Sequence, residues 1–481
     1  MTQDKNDRRK RWWALLVLCL GVLMIVLDTT VVNVALPSIR SDLKFTETSL
    51  VWVVNAYMLT FGGFLLLGGR LGDLWGPRRV FLAGIALFTL ASLACGVASS
   101  QALLIAARAV QGMGGAVVSA VSLALIMNLF TEPGERARAM GVYGFVCAGG
   151  GSVGVLLGGL LTSLLSWHWI FLVNLPIGIA VAALTMSLIA PSKGQARQRL
   201  DWGGAVTITL SLMLAVYGVV NGNEAGWAST QTLGLLATAA VLLGVFIAIE
   251  ARIARPLMPL SLFRHRNLAV ANIAGVLWAA AMFAWFFMSA LYMQLVLGYT
   301  PMQVGLAFLP GNLVMAFLSL GASAKIVMRY GIRRPLAFGL LVAAVGLALF
   351  ARAPVGGSFV VDILPSMILL GFGAGIAFNP MLLAAMSDVG PSESGLASGV
   401  VNTAFMMGGA LGLAVLASAA AARTRNLAAA GHDSLAALTG GYHVAFLIGG
   451  LFAVAAAVVG GVFLRDRKQE EHALEPALDA G

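Results

Sequence analysis

Apolar residues in this chain neither alternate nor keep to one helical stripe. They fill runs of about twenty positions from end to end, and polar residues collect in the short gaps between them. A helix that is apolar all round has no watery face, and about twenty residues rising 1.5 Å each cross the ~30 Å of hydrocarbon in a bilayer. Fourteen such runs predict fourteen membrane helices: 12–36, 49–69, 79–98, 102–129, 138–164, 168–190, 203–221, 230–250, 268–297, 302–324, 334–352, 360–386, 395–422 and 442–464. Strand-period alternation is absent, which argues against a membrane barrel. The first run follows Arg8-Arg9-Lys10-Arg11 and carries no small-residue cleavage site, so it reads as a retained span.

Composition narrows the class. Of 481 residues 59% are hydrophobic and 10% charged, against about 25% charged in soluble domains. An ordinary soluble enzyme, a disordered chain and a secreted disulfide scaffold are excluded. Cys19, Cys95 and Cys147 all lie within apolar runs, with neither ligand spacing nor a disulfide pattern. The net charge of +10 would suit nucleic acid, but the charges occupy inter-helix loops, so no nucleic-acid partner is expected. Of the thirty Lys and Arg, twenty-four fall on the face of the N-terminus and five on the other; one, Arg108, lies inside a span. The positive-inside rule then puts both termini in the cytoplasm.

The chain reads as two related halves. Gly69 through Gly76-Pro77-Arg78-Arg79 follows the second run, and Gly321 through Gly331-Ile332-Arg333-Arg334 follows the tenth. Duplicated halves are a habit of secondary transporters. Six spans per half leave 203–221 and 230–250 as an insertion. The expected organisation is a tail 1–11, a bundle 12–190, a linker 191–255 with two extra helices, a bundle 256–464 and a tail 465–481.

Nineteen of the twenty acidic residues lie in loops, tails or near span ends; Asp28 does not. It stands about 24 Å along a helix from Trp12, and an aspartate at such depth costs on the order of 3 kcal/mol. Burial disfavours the anion, which suits such a group to take up and release a proton as its surroundings change. Arg108 is the one basic residue deep in a span. With the first helix leaving the membrane near Pro37 and the fourth entering near Gln101, Asp28 and Arg108 lie about 13 Å and about 10 Å below the same face. They are expected to share a polar cavity; the alternative is an Arg108 that reaches out to the interface.

These residues belong to recognisable motifs. Leu27-Asp28-Thr29-Thr30-Val31-Val32-Asn33-Val34-Ala35-Leu36-Pro37, Gly69 to Arg79, Arg108-Ala109-Val110-Gln111-Gly112-Met113-Gly114, Trp167-His168-Trp169-Ile170-Phe171-Leu172-Val173-Asn174-Leu175-Pro176 and Asp201-Trp202-Gly203 resemble the fourteen-span drug:proton antiporters of the major facilitator superfamily, the EmrB/QacA-like branch. The resemblance runs from about residue 12 to 464. Gly150, Gly154, Gly158 and Gly159 resemble the antiporter glycine pattern of the fifth helix, with Val155 where the family has proline. Glycines at this spacing also serve any tight helix pair.

The resemblance implies an all-α fold of two six-helix bundles with two helices inserted between them, alternating access, and proton uptake driving efflux. It implies proton coupling at Asp28 and Arg108, and a cytoplasmic latch at Gly69, Gly72, Asp73, Gly76, Arg78 and Arg79. Asp73 is placed to face a helix N-terminus near Ser394-Gly395. Competition of a lipophilic cation and a proton for Asp28 would give exchange.

For the organic part of a substrate, Trp278, Trp285 and Tyr292 recur every seven residues on one helical face, either as a cation-attracting wall or as packing. Asn33, Trp52 and Asn55 are further cavity candidates. No Gly-x4-Gly-Lys-Ser/Thr loop is present, against an ATP-driven pump. The expected protein is no enzyme and needs no cofactor beyond the proton gradient. Its partners are a small-molecule drug, protons and the lipid bilayer, and it works as a monomer in the bacterial cytoplasmic membrane. A dedicated exporter of one metabolite, such as a self-made antibiotic, is the second reading, and a membrane sensor or intramembrane enzyme the third.

Overall fold

Helix is the only regular element among the described residues of this computed structural model, which are 2–130, 132–190, 201–253, 256, 260–387 and 394–465; some side chains within helices, including those of Asp73 and Cys147, are also outside the description. The order is α1 (Thr2–Leu43), α2 (Glu47–Trp75), α3 (Pro77–Gly96), α4 (Gln101–Leu129), α5 (Pro133–Leu164), the single turn α6 (Trp169–Leu172), α7 (Asn174–Leu188), α8 (Trp202–Ala225), α9 (Thr230–Arg252), α10 (Arg266–Leu291), α11 (Pro301–Phe317), α12 (Ser323–Tyr330), α13 (Arg333–Phe350), α14 (Leu364–Met386), α15 (Ser394–Ala429) and α16 (Ser434–Phe463). Among the described residues twelve helices are long and apolar enough to cross a membrane, and two shorter apolar helices are Val153–Leu164 and Pro301–Phe317. Of the expected linker, 191–200 and 254–255 lie outside the description, as does the expected tail beyond Arg465.

The first helix departs from its expected bounds at both ends. The basic residues before the apolar run are helical, and Arg8 and Arg11 pair with Glu135 at the start of α5, at 2.9 and 3.4 Å. Pro37 does not end α1. Proline removes one main-chain donor, and the helix continues to Leu43, where Lys44 turns at φ 57. The carbonyls of Leu43 and Lys44 both accept from Gln101 Nε2 at 3.0 Å.

One group packs α1 on α5 and α7, and α4 on α2 and α3; another packs α10 on α15 and α16, and α13 on α14 and α16. Between them, α9 packs on α8, and α8 lies against both α2 and α15. Asp201 caps α8, its Oδ1 accepting from Gly204 N at 2.7 Å. Where the groups meet on the face opposite the start of α1, Gln294 Nε2 donates to Val34 O at 2.9 Å, and Met302 N donates to Ser163 Oγ at 3.1 Å.

The two halves repeat one corner. Gly76 ends α2 and opens α3 at φ 90; Gly331 ends α12 before α13 at φ 77. Two residues on, Arg78 Nη2 donates to Met186 O at 2.7 Å, in the last turn of α7. Its counterpart Arg333 donates to Gly461 O at 3.1 Å from Nε and 2.7 Å from Nη2, in the last turn of α16. Each guanidinium answers the partial negative charge of a helix C-terminus.

Gly331 sits at φ 77, ψ −170, a region open in practice to glycine alone. Gly331→Ala is expected to cost about 1–3 kcal/mol, read as a lower thermal midpoint of the detergent-purified protein. Gly234→Ala, with nothing within 4 Å of the added carbon, is expected to leave the midpoint unchanged or raise it.

Candidate functional site

Asp28 and Arg108 meet inside the first helix group. Arg108 Nη1 lies 2.5 Å from Asp28 Oδ2, and the two residues are 1% and 0% exposed. The other carboxylate oxygen accepts from Gln111 Nε2 at 2.7 Å and Asn174 Nδ2 at 3.3 Å. Every partner of this carboxylate is a donor, which is the environment of an anion. Gln111 closes the ring: its Oε1 accepts from Arg108 Nη1 at 2.6 Å, and its Nε2 also donates to Ser92 Oγ at 2.8 Å. Arg108 Nε donates to Val53 O at 2.9 Å, and the guanidinium lies 4.4 Å over the Tyr57 ring and 5.6 Å from that of Phe171. Side chains or carbonyls from α1, α2, α3, α4 and α7 thus converge on one buried charge pair.

The fourth-helix motif explains how they reach. Arg108 and Gln111 stand one turn apart on the face of α4 that meets α1 and α3. Gly112 turns toward α2, where a Cβ would collide with Tyr57 O and Thr60 Oγ1. Without that carbon α2 comes close enough for Thr60 Oγ1 to donate to Ala109 O at 2.7 Å and for Val53 O to receive Arg108.

The remaining candidates fall in different places. Gly150, Gly154 and Gly158 seat α5 against α1 at Leu23, Val26, Thr30 and Val31, while Gly159 abuts Pro301 and Met302 of α11. Arg78 is engaged within its own helix group and Arg79 is exposed; Gly69 and Gly72 face Ala120 and Val121 of α4. The side chain of Asp73, residues 388–393 and the side chains of Ser394 and Leu396 lie outside the described residues, so the expected latch contact does too.

The cavity candidates do not surround Asp28. Asn33 donates to Thr29 O on its own helix at 3.3 Å, and Trp52 tilts against Tyr217 of α8 at 6.3 Å. Asn55 Nδ2 donates to Ala410 O of α15 at 3.0 Å, leaving its buried Oδ1 without a partner. Trp278, Trp285 and Tyr292 are buried within the second group. Tyr292 donates to Pro354 O at 2.7 Å and packs edge-on against Phe350 and Tyr442; both indole N–H groups lack acceptors.

Ser92 and Tyr57 are not reached by sequence reasoning. Each is a small or aromatic residue in an apolar run, with no charge to mark it. Gln111 and Asn174 sit within quoted motifs, and a buried amide there was the available signal.

The model of the Major Facilitator Superfamily matches residues 18–413. The chain is similar to the puromycin resistance protein pur8 of Streptomyces alboniger, 39% identical over 455 residues, covering 93% of this chain and 90% of that protein. It is 41% identical over 407 residues to the cephamycin export protein CmcT of Amycolatopsis lactamdurans, covering 84% of each. It is 38% identical over 405 residues to the multidrug resistance protein Stp of Mycobacterium tuberculosis, covering 84% of this chain and 74% of that protein. In fold it is similar to the crystal structure of the nucleoside transporter NupG, with a TM-score of 0.65 at 13% identity over 94% of this chain and all of the other.

Removing one member of a buried pair leaves an uncompensated charge and costs about 3–5 kcal/mol. Arg108→Ala is therefore expected to lower the thermal midpoint markedly. The double variant Asp28→Asn with Arg108→Gln is expected to recover most of the loss; a double variant no more stable than the single one would contradict this.

Proposed function

The chain belongs to the Major Facilitator Superfamily, and from that premise we propose that it is a proton-coupled efflux transporter exporting lipophilic, cationic drugs or antibiotics by alternating access. It is a multi-pass membrane transporter and not an enzyme. The observation that carries the reading is the buried Asp28–Arg108 pair, an intramembrane acid held by donors from α4 and α7. Two bundles of six, 12–190 and 256–464, flank the inserted α8 and α9, giving fourteen spans. The thirty-two residues of α5 support this count, as does the unbroken helical run from Pro301 to Tyr330. Both termini are cytoplasmic, the membrane is the bacterial inner membrane, and the protein works as a monomer without a cofactor.

The geometry supports a coupling that runs through the arginine. A cationic drug pairing directly with Asp28 would have to displace Arg108, so substrate acts on the site at one remove. Protonation of Asp28 deprives Arg108 of its counter-ion. The guanidinium keeps Val53 O, Gln111 Oε1 and the Tyr57 ring, so it is loosened without being stranded. The helices that meet on the pair then favour a different arrangement. Substrate and proton, each favouring one arrangement, exchange by linkage. The contacts of Gln294 with Val34 and of Ser163 with Met302 close the outer side in this arrangement. Asp73, with Arg78 and Arg79, serves the cytoplasmic latch, and the substrate cavity lies between the bundles near Asn55 and Trp52.

A second reading, a dedicated exporter of one antibiotic, is favoured by relatives named for puromycin and cephamycin. A panel of unrelated cationic dyes and antibiotics separates the two: broad efflux supports the first, a single exported compound the second. In membrane vesicles, uphill transport is expected to vanish when an uncoupler collapses the proton gradient. Asp28→Asn is expected to reduce gradient-driven efflux to background with protein still in the membrane. Efflux that survives either change would sink the proton-coupled reading.

A further inference from the structure

Asn174 opens α7 just after the break that follows α6, and its side chain is buried beside the charge pair. Its amide is engaged on one side only. Nδ2 donates to Asp28 Oδ1 at 3.3 Å and to Ser92 Oγ at 3.4 Å, while the buried Oδ1 has no hydrogen-bond partner among the described residues. A buried carbonyl left unmatched is a standing cost. Ser92 shows the complementary lack: its Oγ accepts from Gln111 and from Asn174, and its own hydroxyl hydrogen has no acceptor among the described residues.

The charge on Asp28 explains why the amide stands this way round. An anion takes donors alone, so Nδ2 faces it. Protonation reverses the demand, because a buried O–H needs an acceptor. Arg108 holds Oδ2, which leaves Oδ1 for the proton. Two amides meet Oδ1, and only one is free to turn. Gln111 Oε1 accepts from Arg108 Nη1 at 2.6 Å and from Cys95 Sγ at 3.7 Å, so turning that amide would set its NH2 against the guanidinium. Asn174 Oδ1 holds nothing in place.

We propose that Asn174 is a proton-dependent amide switch, presenting Nδ2 to the ionised Asp28 and Oδ1 to the protonated one. The switch rests on Asp28 being the proton-coupling acid. On protonation an O–H bond forms at Asp28 Oδ1 and the carboxylate charge is lost. Half a turn about Cβ–Cγ of Asn174 then exchanges N for O, and no bond in the amide breaks. The turned Oδ1 accepts from Asp28 and from the Ser92 hydroxyl, and Nδ2 takes the side where the carbonyl stood. The neutral acid thus stays tied to α7 and α3 while its hold on Arg108 weakens, which directs the change toward α4. Among the described residues the titratable or charged groups facing Asp28 are Arg108 on α4, Tyr57 on α2 and Cys95 on α3. α6 and α7 carry none, and α5 meets α1 through glycines at Val26, Thr30 and Val31.

The test uses the full chain in lipid nanodiscs, followed by infrared difference spectroscopy across a pH series. The carboxylic-acid band that Asp28→Asn removes reports protonation of Asp28. In the native chain, isotope-labelled at the asparagine side-chain carbonyl, an asparagine band is expected to shift as that acid band grows; no such shift would overturn the switch. In Asn174→Leu the pH dependence decides by its sign. An amide that only donates stabilises the anion, so its loss would move the midpoint of the acid band to higher pH. An amide that turns gives the acid a hydrogen bond in place of a 3.3 Å contact, so its loss leaves a buried O–H unpaired. The midpoint is therefore expected about one pH unit lower in Asn174→Leu; an unchanged or higher midpoint would sink the switch. The readout involves no transport. If Asp28→Asn removes no acid band at any pH, the proton site of the efflux reading fails and the switch with it. An acid band without the amide's response defeats the switch alone.

Discussion

A carboxylate and a guanidinium taken out of water together organise the first half of this protein. Each would cost several kcal/mol alone in a low-dielectric interior, and their attraction offsets that cost only where geometry is good and the remaining hydrogen-bonding capacity is met. The Asp28–Arg108 contact is close, and Gln111, Asn174, Val53 O and the Tyr57 ring take up further capacity of the two groups, with Ser92 behind Gln111 and Asn174. The pair and the groups around it come from five helices, so it constrains where all five stand. Gly112 and the fifth-helix glycines read as consequences: they remove the side-chain bulk that would hold α2 off α4 and α5 off α1.

The second half has the same corner but a different interior. Arg78 and Arg333 cap the last turns of α7 and α16 through equivalent carbonyls, each two residues after a glycine in positive φ. Where the first bundle holds a charge pair, the second holds aromatic packing, with Trp285 4.4 Å from Phe286 and Phe286 stacked on Phe308 at 5.3 Å. Among the described residues the buried charge pair is thus in the first helix group, and the second is packed with aromatic rings.

Much of this was legible before any coordinates. Long apolar runs announce membrane helices because, a closed barrel apart, nothing else satisfies the backbone in oil, and a lone acid and a lone arginine deep in spans announce each other by depth. What pattern and depth do not carry is azimuth. Depth alone set Asp28 level with Arg108 but did not turn Ser92 and Asn174 toward them. Nor did the seven-residue recurrence of Trp278, Trp285 and Tyr292 say which side of α10 faced inward. Nor does an apolar run mark where its helix ends: α1 continues past Pro37, since one missing donor near a helix end is a small loss, and Gln101 engages the carbonyls beyond it.

One regularity runs through the contacts between helices. Arg78, Arg333, Gln294 and Asn55 donate to main-chain oxygens, those of Met186, Gly461, Val34 and Ala410, and Arg108 gives its Nε to another, that of Val53. Backbone oxygen is common to all twenty residue types. In these five contacts the receiving positions are therefore free to drift in evolution, so long as the helix path holds, and only the donor side chains are exposed to loss by substitution. A lineage of such proteins can reshape its apolar walls for new cargo while the joints between its helices stay as they are.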